Sequence, residues 1–335
     1  MTGSSPARAH RYHRWEGQLS RGRWTWVAIV SSGVRLALKQ NRTRLVVITA
    51  GAVMLGTCIV LYVLSLLENL AGTEQAKGYY DFVRAFLHVD VSGAARIEEY
   101  REVLWRSLYL VTIRMQLLWV LVVVAQVGPG LIAKDLKTKA LPIYFAKPVT
   151  PITYVAGKWL VVASFIAAVM LLPNLLSLII GTLVTGGLHT WGQTLGLGAD
   201  LVLSGLGVCA LAGATILALS SFTSDQRYVA VGWLAVCVIP SLAQQVIDQA
   251  LPADATTGWL GCISLRDNIV VTTERLLGIR EAWEESSLSV EAFRAALFKP
   301  VDASRAAIVL SVWTVGAFFI CYRRVVRFAR SAANV

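Results

Sequence analysis

Chemistry needs particular side chains at particular spacings. A phosphate-cradling loop would read G-x-x-x-x-G-K-[ST]. The nearest approach is Gly157-Lys158, with Ile152 where the first glycine should stand and Trp159 in place of the hydroxyl residue. No His-Glu-x-x-His pair occurs, and His10, His13, His88 and His189 are dispersed. His10 and His13 could share a metal at helical spacing, but they stand in a basic tail, and a solvated tail accounts for them. No Gly-x-Ser-x-Gly elbow is present, since Ser204 has Val202 two residues before it. Cys58, Cys209, Cys237 and Cys321 fall in apolar runs, where a thiol is a small apolar side chain. Cys262 is alone outside them, so no external disulfide can close within one chain. The chain therefore reads as no enzyme, with no catalytic, metal or cofactor-binding residues of its own.

Information is concentrated instead between Gly128 and Lys158, GPGLIAKDLKTKALPIYFAKPVTPITYVAGK. Pro129 kinks the chain as it leaves an apolar run. Lys134–Leu141 fits a two-turn helix, with Leu136 and Ala140 on one face and Lys137 and Thr138 off it. Pro142 stops it, because the residue before proline avoids the helical region. Ile143, Tyr144 and Phe145 follow as apolar bulk, and Pro148 and Pro151 stiffen the return. This is the shape of a rigid knob that inserts into a partner's groove. A plain basic loop with interfacial aromatics is the alternative; it explains the lysines and leaves the prolines and the apolar knob unexplained.

The runs Gly130-Leu-Ile-Ala-Lys-Asp, Lys139-Ala-Leu-Pro-Ile-Tyr-Phe-Ala-Lys-Pro-Val-Thr and Tyr154-Val-Ala-Gly-Lys resemble the cytosolic loop of ABC-2 type transporter permeases. That resemblance implies the membrane subunit of an ATP-driven ABC exporter, with six spans and an N-terminal interfacial helix. It implies a coupling helix at Lys134–Leu141 that docks on a separate ATPase subunit. Lys134, Asp135, Leu136, Lys137, Lys139, Leu141, Tyr144 and Phe145 would be the coupling residues. ATP and Mg would be bound by the partner ATPase. A second permease copy or paralogue would complete a dimer. The implied location is the cell membrane, the bacterial inner membrane, as a multi-pass protein. The alternative function is a membrane assembly or sensory component that keeps the fold and moves nothing.

The elements that must position this loop follow from composition. Of 335 residues, 56% are hydrophobic and only 15% charged, whereas soluble domains carry about 25% charged residues. An all-α polytopic membrane protein is what remains. Spans need about 20 apolar residues, and six predominantly apolar stretches supply them: about 45–67, 108–133, 159–184, 201–222, 228–247 and 305–322, with Arg114 and Arg305 near span edges. Runs such as Leu117–Ala125 do not alternate as barrel strands do. Pro129, Pro173 and Pro240 are expected to kink them, and the small residues Gly205, Gly207, Ala210, Gly213 and Ala214 permit close helix approach. Gln116, Gln126 and Asn174 are the main polar groups within the spans, which lack a central acid or histidine; that argues against an ion-driven transporter.

Charge sets the orientation. The tail 1–20, the segment 21–44, the loop 134–158, Arg227 with Asp225, and residues 323–335 together hold 19 bases and three acids. The opposite segments, 68–106 and 248–304, hold 10 bases and 16 acids. The positive-inside rule puts both termini in the cytosol. The net charge of +11 is mostly this asymmetry and calls for no nucleic acid. Within 21–44, Trp24, Val27, Val30, Val34 and Leu38 recur at helical spacing, away from Arg35, Lys39 and Arg42. That is an interfacial amphipathic helix, either an elbow that transmits motion or a surface anchor. Residues 248–304 carry Trp259, Leu276, Leu277, Trp283, Phe293 and Leu297 among charges, and read as short helices lying over the outer face as a lid, with a ligand-binding cap as the alternative.

Overall fold

The computed structural model describes residues 25–69, 97–141, 144, 149–186, 188, 191–251, 258–285, 298–299 and 301–333. Residues 1–24, 70–96, Phe145 and the stretch 286–297 lie outside the described residues. Every regular element among the described residues is helical, and six helical segments are long and apolar enough to cross a membrane: Asn41–Leu66, Tyr100–Lys137, Pro151–Thr185, Trp191–Phe222, Gln226–Ala250 and Ala303–Arg330. The protein is an all-α polytopic membrane protein.

In chain order the helices are α1 (Thr25–Leu38), α2 (Asn41–Asn69), α3 (Ile97–Val127), α4 (Gly130–Lys137), α5 (Pro151–Ile166), α6 (Leu172–Thr185), α7 (Trp191–Phe222), α8 (Gln226–Ala250), α9 (Leu265–Leu276), α10 (Ile279–Glu285) and α11 (Ala303–Ala333). The fourth span starts about ten residues earlier than its apolar run suggests. Gly192, Gly196 and Gly198 lie inside α7 and do not break it; α7 is the central helix, and packing there overrides glycine's weak helix preference. Between α5 and α6 a π-turn, Ala167–Leu171, precedes Pro173. The wider turn absorbs the proline, so the third span continues through it as one crossing.

Small residues and amide pairs hold the bundle together. A Cβ on Gly213 would lie 2.5 Å from the Trp159 ring, so α5 and α7 can approach this closely only with glycine there. Gly207 faces open space and has no such part. Gln116 of α3 and Asn174 of α6 exchange two amide hydrogen bonds, at 3.0 and 2.9 Å, each satisfying the other away from water. Thr57 of α2 and Thr112 of α3 pair at 2.9 Å.

Segment 258–285 is not a lid lying over the bundle. Helix α9 sinks into it. Its capping Ser264 is fully buried and hydrogen-bonds Ser241 of α8 at 3.0 Å. Farther along, Thr273 meets Ser204 of α7 at 2.8 Å. At its far end the Leu277 carbonyl accepts from Arg106 of α3, and Trp283 of α10 donates to Ser107 at 3.0 Å. Twelve helical residues span about 18 Å, so the helix reaches from Ser241 on α8 to Ser204 on α7. Re-entry brings Arg266, Asp267 and Glu274 among the spans beside Arg114. The interior therefore contains ionisable groups that the span sequences alone lack. Asp267 pairs with Lys299 at 2.9 Å, and Glu274 with Arg280 at 2.5 Å.

Candidate functional site

Opposite the re-entrant helix, at the end of the bundle where α1, α4 and the C-terminal part of α11 lie, the segment singled out by sequence forms a built junction. Val127 ends α3, and Gly128 and Pro129 turn the chain. A Cβ at Gly128 would come 2.3 Å from Ile216 of α7, so the turn sits hard against the central helix.

Helix α4 then runs from Gly130 to Lys137, starting four residues before the expected Lys134 and ending four before Leu141. The first N–H groups of a helix have no partner within it, and Pro129 at the cap position offers no side chain to them. A residue 88 positions along the chain does. The hydroxyl of Ser220, fully buried on α7, accepts from Ile132 N–H at 3.1 Å and from Ala133 N–H at 2.9 Å. The same hydroxyl donates to the Pro129 carbonyl at 3.0 Å. One side chain thereby pins both the turn and the start of α4 to the centre of the bundle.

The other end of α4 is closed by its own backbone. Ala140 N–H bonds the Asp135 carbonyl at 2.9 Å and Lys139 N–H bonds that of Leu136 at 3.2 Å, the paired pattern of a Schellman stop. Lys139 takes the left-handed position that glycine usually fills, with φ 53°. The stop lies ahead of Pro142, because the chain must turn inward to bury Leu141, which is 4% exposed and packs in the main core.

Asp135 ties α4 to α5. Its Oδ2 accepts from the Tyr154 hydroxyl at 2.7 Å and pairs with Lys158 Nζ at 2.7 Å. Tyr154 and Lys158 stand one turn apart on α5, so both reach the same oxygen. Tyr144 stacks obliquely on Tyr154, ring centroids 5.5 Å apart, and the Lys158 ammonium lies within 5.8 Å of both rings. Burial, and then the Asp135 charge, push the Tyr144 phenol up, so it stays neutral. Between Tyr154 and Lys158, Gly157 takes Ile29 of α1, and Gly33 of α1 takes Val161. The amphipathic helix is thus docked onto α5 as well as bordering α2. A cavity of about 530 Å³ remains among these helices, lined by Gln126, Lys134, Asp135, Tyr144, Lys158 and Gln226.

The structure sorts the sequence-predicted residues. Lys134, Lys137 and Lys139 are exposed and form a basic outer face, with Leu136 and Tyr144 half-buried. Asp135 and Leu141 point inward and are engaged within this chain. Phe145 lies outside the described residues. Sequence reading missed Ser220, for which no local pattern signals a distant cap. Tyr154 and Lys158 stand in the sequence motif, and their role in holding Asp135 comes from the folded geometry. Among the described residues no group of three or more His, Cys, Asp or Glu side chains converges to hold a metal. No family model matches this chain, and no curated protein matches it either.

Proposed function

We propose that the chain is the permease subunit of an ATP-driven ABC transporter, an exporter, in which α4 is the contact that receives motion from a separate ATPase subunit. One observation carries the reading. A short helix between the second and third spans presents Lys134, Lys137 and Lys139 outward while Ser220 and the Asp135–Lys158–Tyr154 cluster bind it rigidly to α7 and α5. A force on the basic face would therefore reach two spans directly. The resemblance of Gly130–Lys158 to ABC-2 permease loops supports the same assignment. On this reading the basic end is cytosolic, ATP and Mg belong to the partner, and two permease chains form the translocating unit in a bacterial inner membrane.

The test uses the tagged full-length chain, purified from its native membrane. An ATPase chain carrying a phosphate-cradling loop should co-purify, and hydrolysis should be confined to that chain. Combined Lys134→Glu, Lys137→Glu and Lys139→Glu should lower its capture by about tenfold or more, the loss of one interface hot spot. ATP hydrolysis by the pure chain, or undiminished capture of an ATPase by the triple variant, would overturn the assignment.

A further inference from the structure

Between α3, α7 and α8, above the foot of α9, lies a narrow pocket of about 230 Å³ walled by Leu117, Leu121, Val208, Leu211, Trp233 and Leu265. Leu118 and Leu242, also lining it, are 50% and 55% exposed, so the pocket opens sideways toward the bilayer. Trp233 to Gln245 on α8 marks its long axis, about 18 Å at the helical rise.

Its polarity is one-sided. At the inner end the Trp233 indole donates to the Leu121 carbonyl at 3.0 Å, and Thr215 donates to Leu211 and accepts from Trp313. Ser241 is likewise taken, by Cys237 and Ser264. These groups have their partners and leave an apolar end. At the outer end stands Arg266, the only charged residue of the lining. Its Nε is buried without a hydrogen-bond partner, and no carboxylate pairs with it among the described residues. The carboxylates nearest along the chain are engaged elsewhere, Asp267 by Lys299 and Glu274 by Arg280. Arg114 lies close by, with Glu274 and Asp267 acting on it as well. Arg266 sits in the first turn of α9, whose start is already capped by the Ser264 hydroxyl. Arg266 is half-buried, and an anion beside its guanidinium would offset the cost of holding that charge against apolar side chains.

We propose that this pocket binds a single-chain anionic amphiphile of the fatty-acid class, carboxylate at Arg266 and tail running inward to Trp233. The narrow volume, below the roughly 300–1,000 Å³ of ordinary ligand pockets, takes one chain. Binding is a property of this chain alone and does not depend on the permease assignment.

The experiment places the full-length chain in phosphatidylcholine nanodiscs with a fatty acid bearing a photoactivatable group near its tail end. Cross-links should map to Val208, Leu211 and Trp233, be competed by unlabelled fatty acid, and exceed those of the uncharged methyl ester by about tenfold. Arg266→Gln should reduce the acid to the level of the ester, and Arg266→Lys should retain part of the preference. The triple lysine variant of α4 should label as wild type, which separates this result from the fate of the ATPase contact. Equal labelling by acid and ester in the wild-type chain identifies an ordinary bilayer groove and overturns the proposal. That comparison decides the matter even if Arg266→Gln does not fold. Acid labelling unchanged in a folded Arg266→Gln variant also overturns it.

Discussion

The hydroxyl of Ser220 on α7 is the N-terminal cap of α4, accepting from Ile132 and Ala133 while donating to the Pro129 carbonyl. A helix that reads from sequence as a rigid knob for a partner's groove is thereby also part of the central packing. Removing a cap costs about 0.5–2 kcal/mol. Ser220→Ala should therefore speed amide hydrogen exchange in the peptide covering 130–135 by roughly 5- to 30-fold, the factor that 1–2 kcal/mol implies, with the exposed face of α4 unaltered. Unchanged exchange there would show that the cap contributes nothing.

Asp135 and Lys158 form a pair with both side chains mostly shielded from solvent, 13% and 11% exposed. Breaking such a pair from one side leaves a charge uncompensated and costs about 3–5 kcal/mol. Lys158→Met should lower the melting temperature sharply, whereas Asp135→Asn combined with Lys158→Met should recover most of the loss. A double-mutant cycle in detergent or nanodiscs measures the coupling; additive losses would mean that the two side chains do not act as a unit.

Lys139 holds a left-handed conformation, φ 53°, which costs a residue with a Cβ about 1–2 kcal/mol. Lys139→Gly should be neutral or stabilising by up to about 1 kcal/mol, an unusual outcome for glycine beside a helix. Lys139→Val should destabilise, since a β-branched side chain is a poor occupant of that region. Thermal unfolding of the two variants side by side checks the sign.

Orientation is tested by thiol labelling. With the native cysteines replaced, cysteines introduced at Lys137 and Glu284, both exposed, should react from opposite sides of the membrane with an impermeant reagent. Labelling of both from outside would be incompatible with the positive-inside arrangement.

Six crossings, the end of the third near residue 184, and the place of a short basic helix after the second apolar run were all legible in the amino-acid sequence. Each is a local property: bilayer thickness demands about 20 apolar residues per crossing, and proline, glycine and charge interrupt the runs. The limits of α4 were not legible, because Pro142 marks only the last residue a helix could reach, and the demand to bury Leu141 ends it sooner. Nor was the depth of α9. Arg266, Asp267 and Glu274 look like surface residues when counted along the chain, and only pairing with Lys299 and Arg280 and contact with Ser204 and Ser241 let this segment sink between the spans. Ser220 and Gln116–Asn174 show the same division. A buried polar group must be satisfied by whatever helix lies opposite, and which helix that is depends on packing between residues 58 or more positions apart, a relation carried by tertiary structure alone.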